Sequence, residues 1–191
     1  VLSSIDQHWS RLYEQGRDFR LISPKEIDQF LQYVSSDVPR TNLDLGSGTG
    51  QLTRELYHRG YECVGVDASL EAVKRARRLT SVASKVLSYV HGDLEGDDLY
   101  ANEAHAQYGL ITCKLVYAFI KDKPAFLEKV MGLLAPKGVL VVITPMLEDV
   151  EEDKKGIAVN ENAIKLLEVY FNKVDLYKLN GLTYFIGTPR E

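Results

Sequence analysis

Five short apolar runs recur along the chain, and helix-like stretches separate them. The runs are Thr41–Leu45, Tyr61–Val66, Val86–Val90, Tyr108–Cys113 and Val139–Thr144. Between them, Gln51–Arg59 reads as a helix stopped by Gly60, and Ser69 caps a helix carrying Leu70, Val73, Ala76 and Leu79. Asp122 caps another with Phe126, Leu127, Val130, Met131 and Leu134 on its apolar side. Strands that alternate with helices must run parallel, because each crossover returns the chain to the same edge. Val139–Thr144 is apolar throughout, as a strand covered on both faces requires.

The end of the chain breaks this rhythm. Asn160–Tyr170 reads as a helix, and Asn180-Gly181 then separates the β-prone runs Val174–Leu179 and Leu182–Ile186. Asn-Gly suits the positive φ at both central positions of a type I′ turn, so an antiparallel hairpin is predicted. The expected fold class is therefore α/β: a doubly wound, mostly parallel seven-stranded sheet with an antiparallel C-terminal hairpin and helices on both faces.

Before the first strand, residues 4–16 read as a short helix with Ile5, Trp9 and Leu12 on one side. A capping box follows at Ser23-Pro24-Lys25-Glu26, with proline in the first helical turn and an apolar stripe of Ile27, Phe30, Leu31 and Val34. Residues 95–107 are polar and read as loop, and Pro136-Lys137-Gly138 reads as a turn. At 191 residues the chain is expected to be one domain over 1–191, with N-terminal helices in 1–40, a core in 41–145, and a helix and hairpin in 146–191.

Charge and cysteines narrow the partners. The net charge of −4 gives no global field to attract nucleic acid or an anionic membrane. The basic cluster Lys74, Arg75, Arg77 and Arg78 reads as a solvated helix face. Cys63 and Cys113 fit neither a disulfide framework nor a metal pattern, so buried reduced thiols and no metal are expected. No run reaches the roughly 18 apolar residues of a membrane span. Val1-Leu2-Ser3-Ser4 shows neither the cationic start nor the apolar core of a signal peptide. The expected location is cytoplasmic.

In an open α/β sheet, ligands bind at the carboxyl ends of the strands. The first strand ends there in Asp44-Leu45-Gly46-Ser47-Gly48-Thr49-Gly50, whose glycines permit a tight turn and a close approach to a ligand. A dinucleotide fingerprint would place a third glycine where Gln51 stands, and a Walker loop would need Gly-Lys-Ser/Thr. Asp67 closes the second strand, where a carboxylate can accept both hydroxyls of a ribose. Asp93 closes the third, where it suits the exocyclic amine of an adenine.

Together these motifs, with Gly65-Val66-Asp67-Ala68-Ser69, His91-Gly92-Asp93-Leu94 and Leu134-Ala135-Pro136-Lys137-Gly138, resemble class I S-adenosylmethionine-dependent methyltransferases. The resemblance covers about residues 41–145 and is similar to small-molecule enzymes such as those of ubiquinone and menaquinone biosynthesis. It implies S-adenosyl-L-methionine as cofactor and a small-molecule acceptor methylated on O, N or another nucleophilic atom. It also implies that Gly46, Ser47, Gly48 and Gly50 border the methionine part, that Asp67 holds the ribose with Ala68 beside the adenine, that Asp93 with Leu94 binds the adenine edge, and that Asp44 and Ser69 belong to the same cofactor-binding set. Cys113, Lys114 and Leu115 would flank the sulfonium.

Many relatives carry a histidine shortly after the fourth strand, where this chain has Phe119, so no built-in base is assigned there. The acceptor wall is expected from the N-terminal helices and from the segment after the fifth strand. Tyr13, Arg17, Tyr117, Phe119 and Met146 are the candidate acceptor contacts, with Trp9, Phe19, Arg20 and Leu147 beside them. Arg17 and Arg20 suit an acidic acceptor. An Asn/Asp-Pro-Pro-Tyr/Phe motif is missing after the fourth strand, and no proline precedes Cys113, which disfavours base-amino and C5-cytosine methylation. A cofactor-binding accessory protein without transferase activity is the alternative function.

Overall fold

The computed structural model describes residues 4–81, 86–96 and 107–190. Most of the polar stretch 95–107 lies outside the described residues. Two helices come first, α1 (Ser4–Glu14) and α2 (Pro24–Leu31). Then β1 (Thr41–Leu45), α3 (Gln51–His58), β2 (Glu62–Asp67), α4 (Leu70–Leu79) and β3 (Leu87–His91) alternate. The second half holds β4 (Tyr108–Lys114), α5 (Lys123–Leu133), β5 (Leu134–Thr144), α6 (Glu161–Tyr170), β6 (Phe171–Leu179) and β7 (Leu182–Pro189). The seven strands form one sheet in the order β3-β2-β1-β4-β5-β7-β6. The first five run parallel, β7 is antiparallel to β5, and β6 pairs antiparallel with β7.

The expected architecture is thus the observed one. The capping box at Ser23 and Glu26 forms in both directions, because each side chain satisfies an amide that the helix leaves unpaired. Asn180 and Gly181 adopt φ of 51° and 75°, the primed turn that lets the strands keep their right-handed twist. One expectation is corrected: Pro136-Lys137-Gly138 is no separate turn, since β5 already starts at Leu134, opposite Tyr108. The extra residues are absorbed by a register shift between Tyr108 and Leu110 and by a positive φ of 61° at Lys137.

Two cores sandwich the sheet. On β5, Leu140 and Val142 face α5 and α6, whereas Val139, Val141 and Ile143 face α2, α3 and α4. This period-2 division is what makes the strand apolar at every position. Cys63 and Cys113 are buried free thiols, and among the described residues no helix is long and apolar enough to cross a membrane.

The order reverses between β1 and β4. Connections leave these neighbours toward opposite faces, opening a crevice at their carboxyl ends. A cavity of about 320 Å³ lies there.

Candidate functional site

The floor of the cavity is the turn after β1. Gly46 and Ser47 donate their amides to the Val66 carbonyl at 2.8 and 3.0 Å, which ties the turn to the end of β2. Gly46 has φ of 72°, and a Cβ there would lie 2.1 Å from Val116 Cγ2. Gly48 has φ of 55°, and its Cβ would lie 2.7 Å from the Tyr13 hydroxyl. Only glycine meets both demands at these two positions. Ser47 Oγ lies in this wall, buried and without a hydrogen-bond partner among the described residues.

Asp67 is almost fully buried. Its Oδ2 accepts from the Gly48 amide and its Oδ1 from the Ser69 amide, both at 2.8 Å. Burial pushes its pKa up to about 6, against the pull of those amides and of His91. Each carboxylate oxygen still has acceptor capacity toward the cavity. Ala68 and Leu94 line the cavity beside it, as does Asp93, whose Oδ1 accepts from the Glu95 amide at 3.0 Å.

A strap over residues 17–22 and helix α1 roof the floor. Asp18 accepts from Thr49 Oγ1 at 3.1 Å, and Gln51 exchanges hydrogen bonds with both backbone groups of Ile22. Lys114 donates to the Arg20 carbonyl at 2.6 Å. Burial holds the Lys114 ammonium below its ordinary pKa, opposed by Asp44, Asp18 and Glu26. Arg20 turns away to Glu26 and the Asn180 carbonyl, so it is not the expected acceptor contact. Helix α1 turns Asp6, Ser10 and Tyr13 inward. Ser10 meets Ser69, and Asp6 accepts from the Leu70 amide at 3.1 Å and lies 3.0 Å from His91 Nε2. Its apolar side of Ile5, Trp9 and Leu12 therefore lines the cavity.

Residues 16–178 match the methyltransferase domain family. The chain belongs to that family. Among curated proteins it is similar to the mitochondrial ubiquinone biosynthesis O-methyltransferase of Schizosaccharomyces pombe, with 31% identity over 53% of this chain and 36% of that protein. It is likewise similar to the ubiquinone biosynthesis O-methyltransferase of Psychrobacter cryohalolentis, with 32% identity over 59% of this chain and 47% of that one. The chain spans about half the length of the curated relatives it matches. Among solved structures, the N-methyltransferase NodS from Bradyrhizobium japonicum in complex with S-adenosyl-L-homocysteine superposes with a TM-score of 0.74. It is 19% identical, and the match covers 99% of this chain and all of that one, which shows a shared fold.

In this methyltransferase domain, most of the anticipated residues converge. Gly46, Ser47, Gly48, Asp67, Ala68, Asp93, Leu94 and Lys114 line the cavity, as do Tyr13, Arg17 and Phe119. Five others lie behind its wall. Asp44 is buried and accepts from Thr53 and Thr112, and Gly50 opens α3 against the Tyr89 ring. Ser69 spends its hydroxyl on capping α4. Tyr117 is buried and donates to the Ala163 carbonyl at 3.1 Å, and Met146 is buried in the α5/α6 core. Cys113 is buried too, which pushes its thiol up to about 12 and leaves it inert. Sequence reasoning missed His8, Asp18, Leu21 and Ile157 as lining residues. The one available signal was the place of His8 next to Trp9 on α1, whereas Asp18 and Leu21 lie outside any helix or strand and carry no period to read.

Proposed function

We propose that this chain is an S-adenosyl-L-methionine-dependent methyltransferase acting on a small-molecule acceptor. The observation that carries this reading is the convergence of the Gly46–Thr49 turn, Asp67 and Asp93 on one cavity at the strand ends. The residues fit the cofactor. Among the described residues Ser47 Oγ is a buried polar atom lacking a partner, Gly48 lets the Tyr13 hydroxyl close over the turn, and Asp67 keeps acceptor capacity for hydroxyls. When bound, S-adenosylmethionine would supply a methyl group to the attacking acceptor atom, the C–S bond breaking in line and S-adenosyl-L-homocysteine leaving as the neutral thioether. The chain's own part is to hold donor and acceptor in line and to exclude water. Asp67 orients the ribose side and Asp93 with Leu94 the adenine edge, while Tyr13 and the strap close the floor off.

The named relatives support a small organic acceptor. One domain spans 1–191 in this reading, with 1–40 as its roof, 41–145 as the cofactor-binding core, and 146–191 closing the sheet. Two buried free thiols favour a reducing, cytoplasmic setting, and a net charge of −4 argues against a nucleic-acid acceptor.

Calorimetry with S-adenosyl-L-homocysteine tests the cofactor. Micromolar binding that Asp67→Ala weakens by about tenfold or more is expected. No heat of binding to folded protein would overturn the reading. Labelled methyl donor incubated with cell extract then identifies the acceptor by the product. Binding without transfer would favour the accessory-protein alternative.

A further inference from the structure

We propose that the strap over residues 17–22 is the gate through which the cofactor enters and leaves, and that Arg20 is the positioning residue that holds it shut. This rests on the cofactor occupying the floor of the cavity. The strap joins α1 to α2 and belongs to no helix or strand, so no ladder of backbone hydrogen bonds fixes it. Asp18, Phe19 and Leu21 line the cavity together with the glycine turn. Phe19 also packs edge-on against Tyr13 and Trp9, with ring centroids 5.5 and 5.7 Å apart. A nucleoside seated on the turn lies beneath this cover, so part of the cover must move to admit it. Helix α1 is a regular element fastened to Ser69, Leu70 and His91. The strap, with fewer bonds of its own, is the part that opens at least cost.

Arg20 is tied on both sides. Its carbonyl accepts from Lys114, which lines the cavity. Its guanidinium points the other way, donating to Glu26 Oε1 at 3.1 Å and to the Asn180 carbonyl at 2.5 Å. Both acceptors are fixed. Glu26 is 3% exposed and is also held by the Ser23 amide and the Tyr184 hydroxyl, and Asn180 belongs to the primed turn of the β6–β7 hairpin. Because β7 runs antiparallel to β5, with Thr183 opposite Thr144, it brings that turn to the carboxyl edge where the cavity lies. A residue 160 positions away thus latches the strap from outside. The Arg20 side chain is 38% exposed. Charge-assisted bonds hold it, yet water can replace them, as a gate that must reopen requires.

The test follows S-adenosyl-L-homocysteine by stopped-flow through Trp9, the single tryptophan of the chain, with calorimetry for affinity. Arg20→Ala should speed dissociation about fivefold or more and leave association as fast or faster. Arg20→Lys keeps the charge but not the fork, and should recover at least half of that loss. Glu26→Gln can still close the capping box, so it should speed dissociation about twofold and serves if Arg20→Ala does not fold. In a Lys114→Met background, Arg20→Ala should have a smaller effect than in the wild-type chain.

Unchanged dissociation in the Arg20 and Glu26 variants, with or without a lower melting temperature, overturns the latch and leaves the proposed function standing. An affinity loss arising wholly from slower association overturns the gate. Arg20→Lys no better than Arg20→Ala overturns the charged tie, and strict additivity with Lys114→Met overturns the link to the cavity. If the wild-type chain does not bind S-adenosyl-L-homocysteine, this inference and the proposed function fall together.

Discussion

The carboxylate of Asp67 accepts the Gly48 amide at 2.8 Å, so the acid that closes β2 is stitched to the glycine turn that closes β1. The same buried group is therefore wall and ligand acceptor at once. Burial raises its pKa from 3.8 to about 6. A pKa raised on folding favours the protonated form, so this residue's stability contribution is complete below about pH 4 and is lost as pH rises through about 6. Cofactor hydroxyls donating to Asp67 favour the ionised form, so affinity moves the opposite way. S-adenosyl-L-homocysteine affinity should rise about tenfold from pH 5 to pH 7, following ionisation of a group with a pKa of about 6. Calorimetry across that range checks it, and Asp67→Asn should flatten the profile.

Gly46→Ala and Gly132→Ala should shift stability in opposite directions. At Gly46 the new methyl meets Val116 Cγ2 and φ is 72°. The left-handed backbone costs about 1–2 kcal/mol and the overpacking about 1–3 kcal/mol. Val116 also lines the cavity, so its displacement should weaken cofactor binding. Gly132 lies in α5 with open space around it, and alanine there should stabilise by about 0.5–1 kcal/mol. Thermal melts of the two variants decide it.

The parts of this site that were legible in the sequence are those fixed locally. Thr41–Leu45 is a strand with the expected bounds, and Asn180-Gly181 forms the expected turn, because each is specified by neighbours in the chain. The glycines and acids at strand ends follow from topology alone. What could not be read is which way a side chain faces where no period applies. Asp44 and Asp67 both stand near strand ends, yet Asp44 comes one residue before the end of β1 and points to Thr53 and Thr112. The Ile5, Trp9 and Leu12 stripe reads as one side of a helix, with Trp9 beside the expected acceptor wall, and all three line the cavity. The docking of α1 is set by Ser69, Leu70 and His91, about sixty or more positions away along the chain.

Tyr117 and Phe119 sit two residues apart on a single 3₁₀ turn, and the short turn sends them to opposite sides. Tyr117→Phe removes the bond to the Ala163 carbonyl and nothing at the cavity. It should cost about 1 kcal/mol of stability and leave S-adenosyl-L-homocysteine affinity unchanged. Denaturant unfolding and calorimetry separate the two effects. A large loss of affinity would return the hydroxyl to the site.

Asp6 is the fastening point of the roof. It is 1% exposed, and its Oδ1 accepts from Ser10 Oγ at 2.7 Å as well as from the Leu70 amide at the start of α4, where a negative charge also meets the positive end of the helix. Asp6→Ala leaves these donors buried without their acceptor, at a cost of about 1–3 kcal/mol. That cost falls on the docking of α1, because the helix packs on α4 and stands outside the sheet. Trp9 should then meet water and shift its emission to the red. Trypsin should cut faster at Arg11 and Arg17, and S-adenosyl-L-homocysteine should bind more weakly once Tyr13 no longer covers Gly48. An unchanged emission maximum and digestion pattern would mean that α1 is held by its apolar wall instead of its polar stripe.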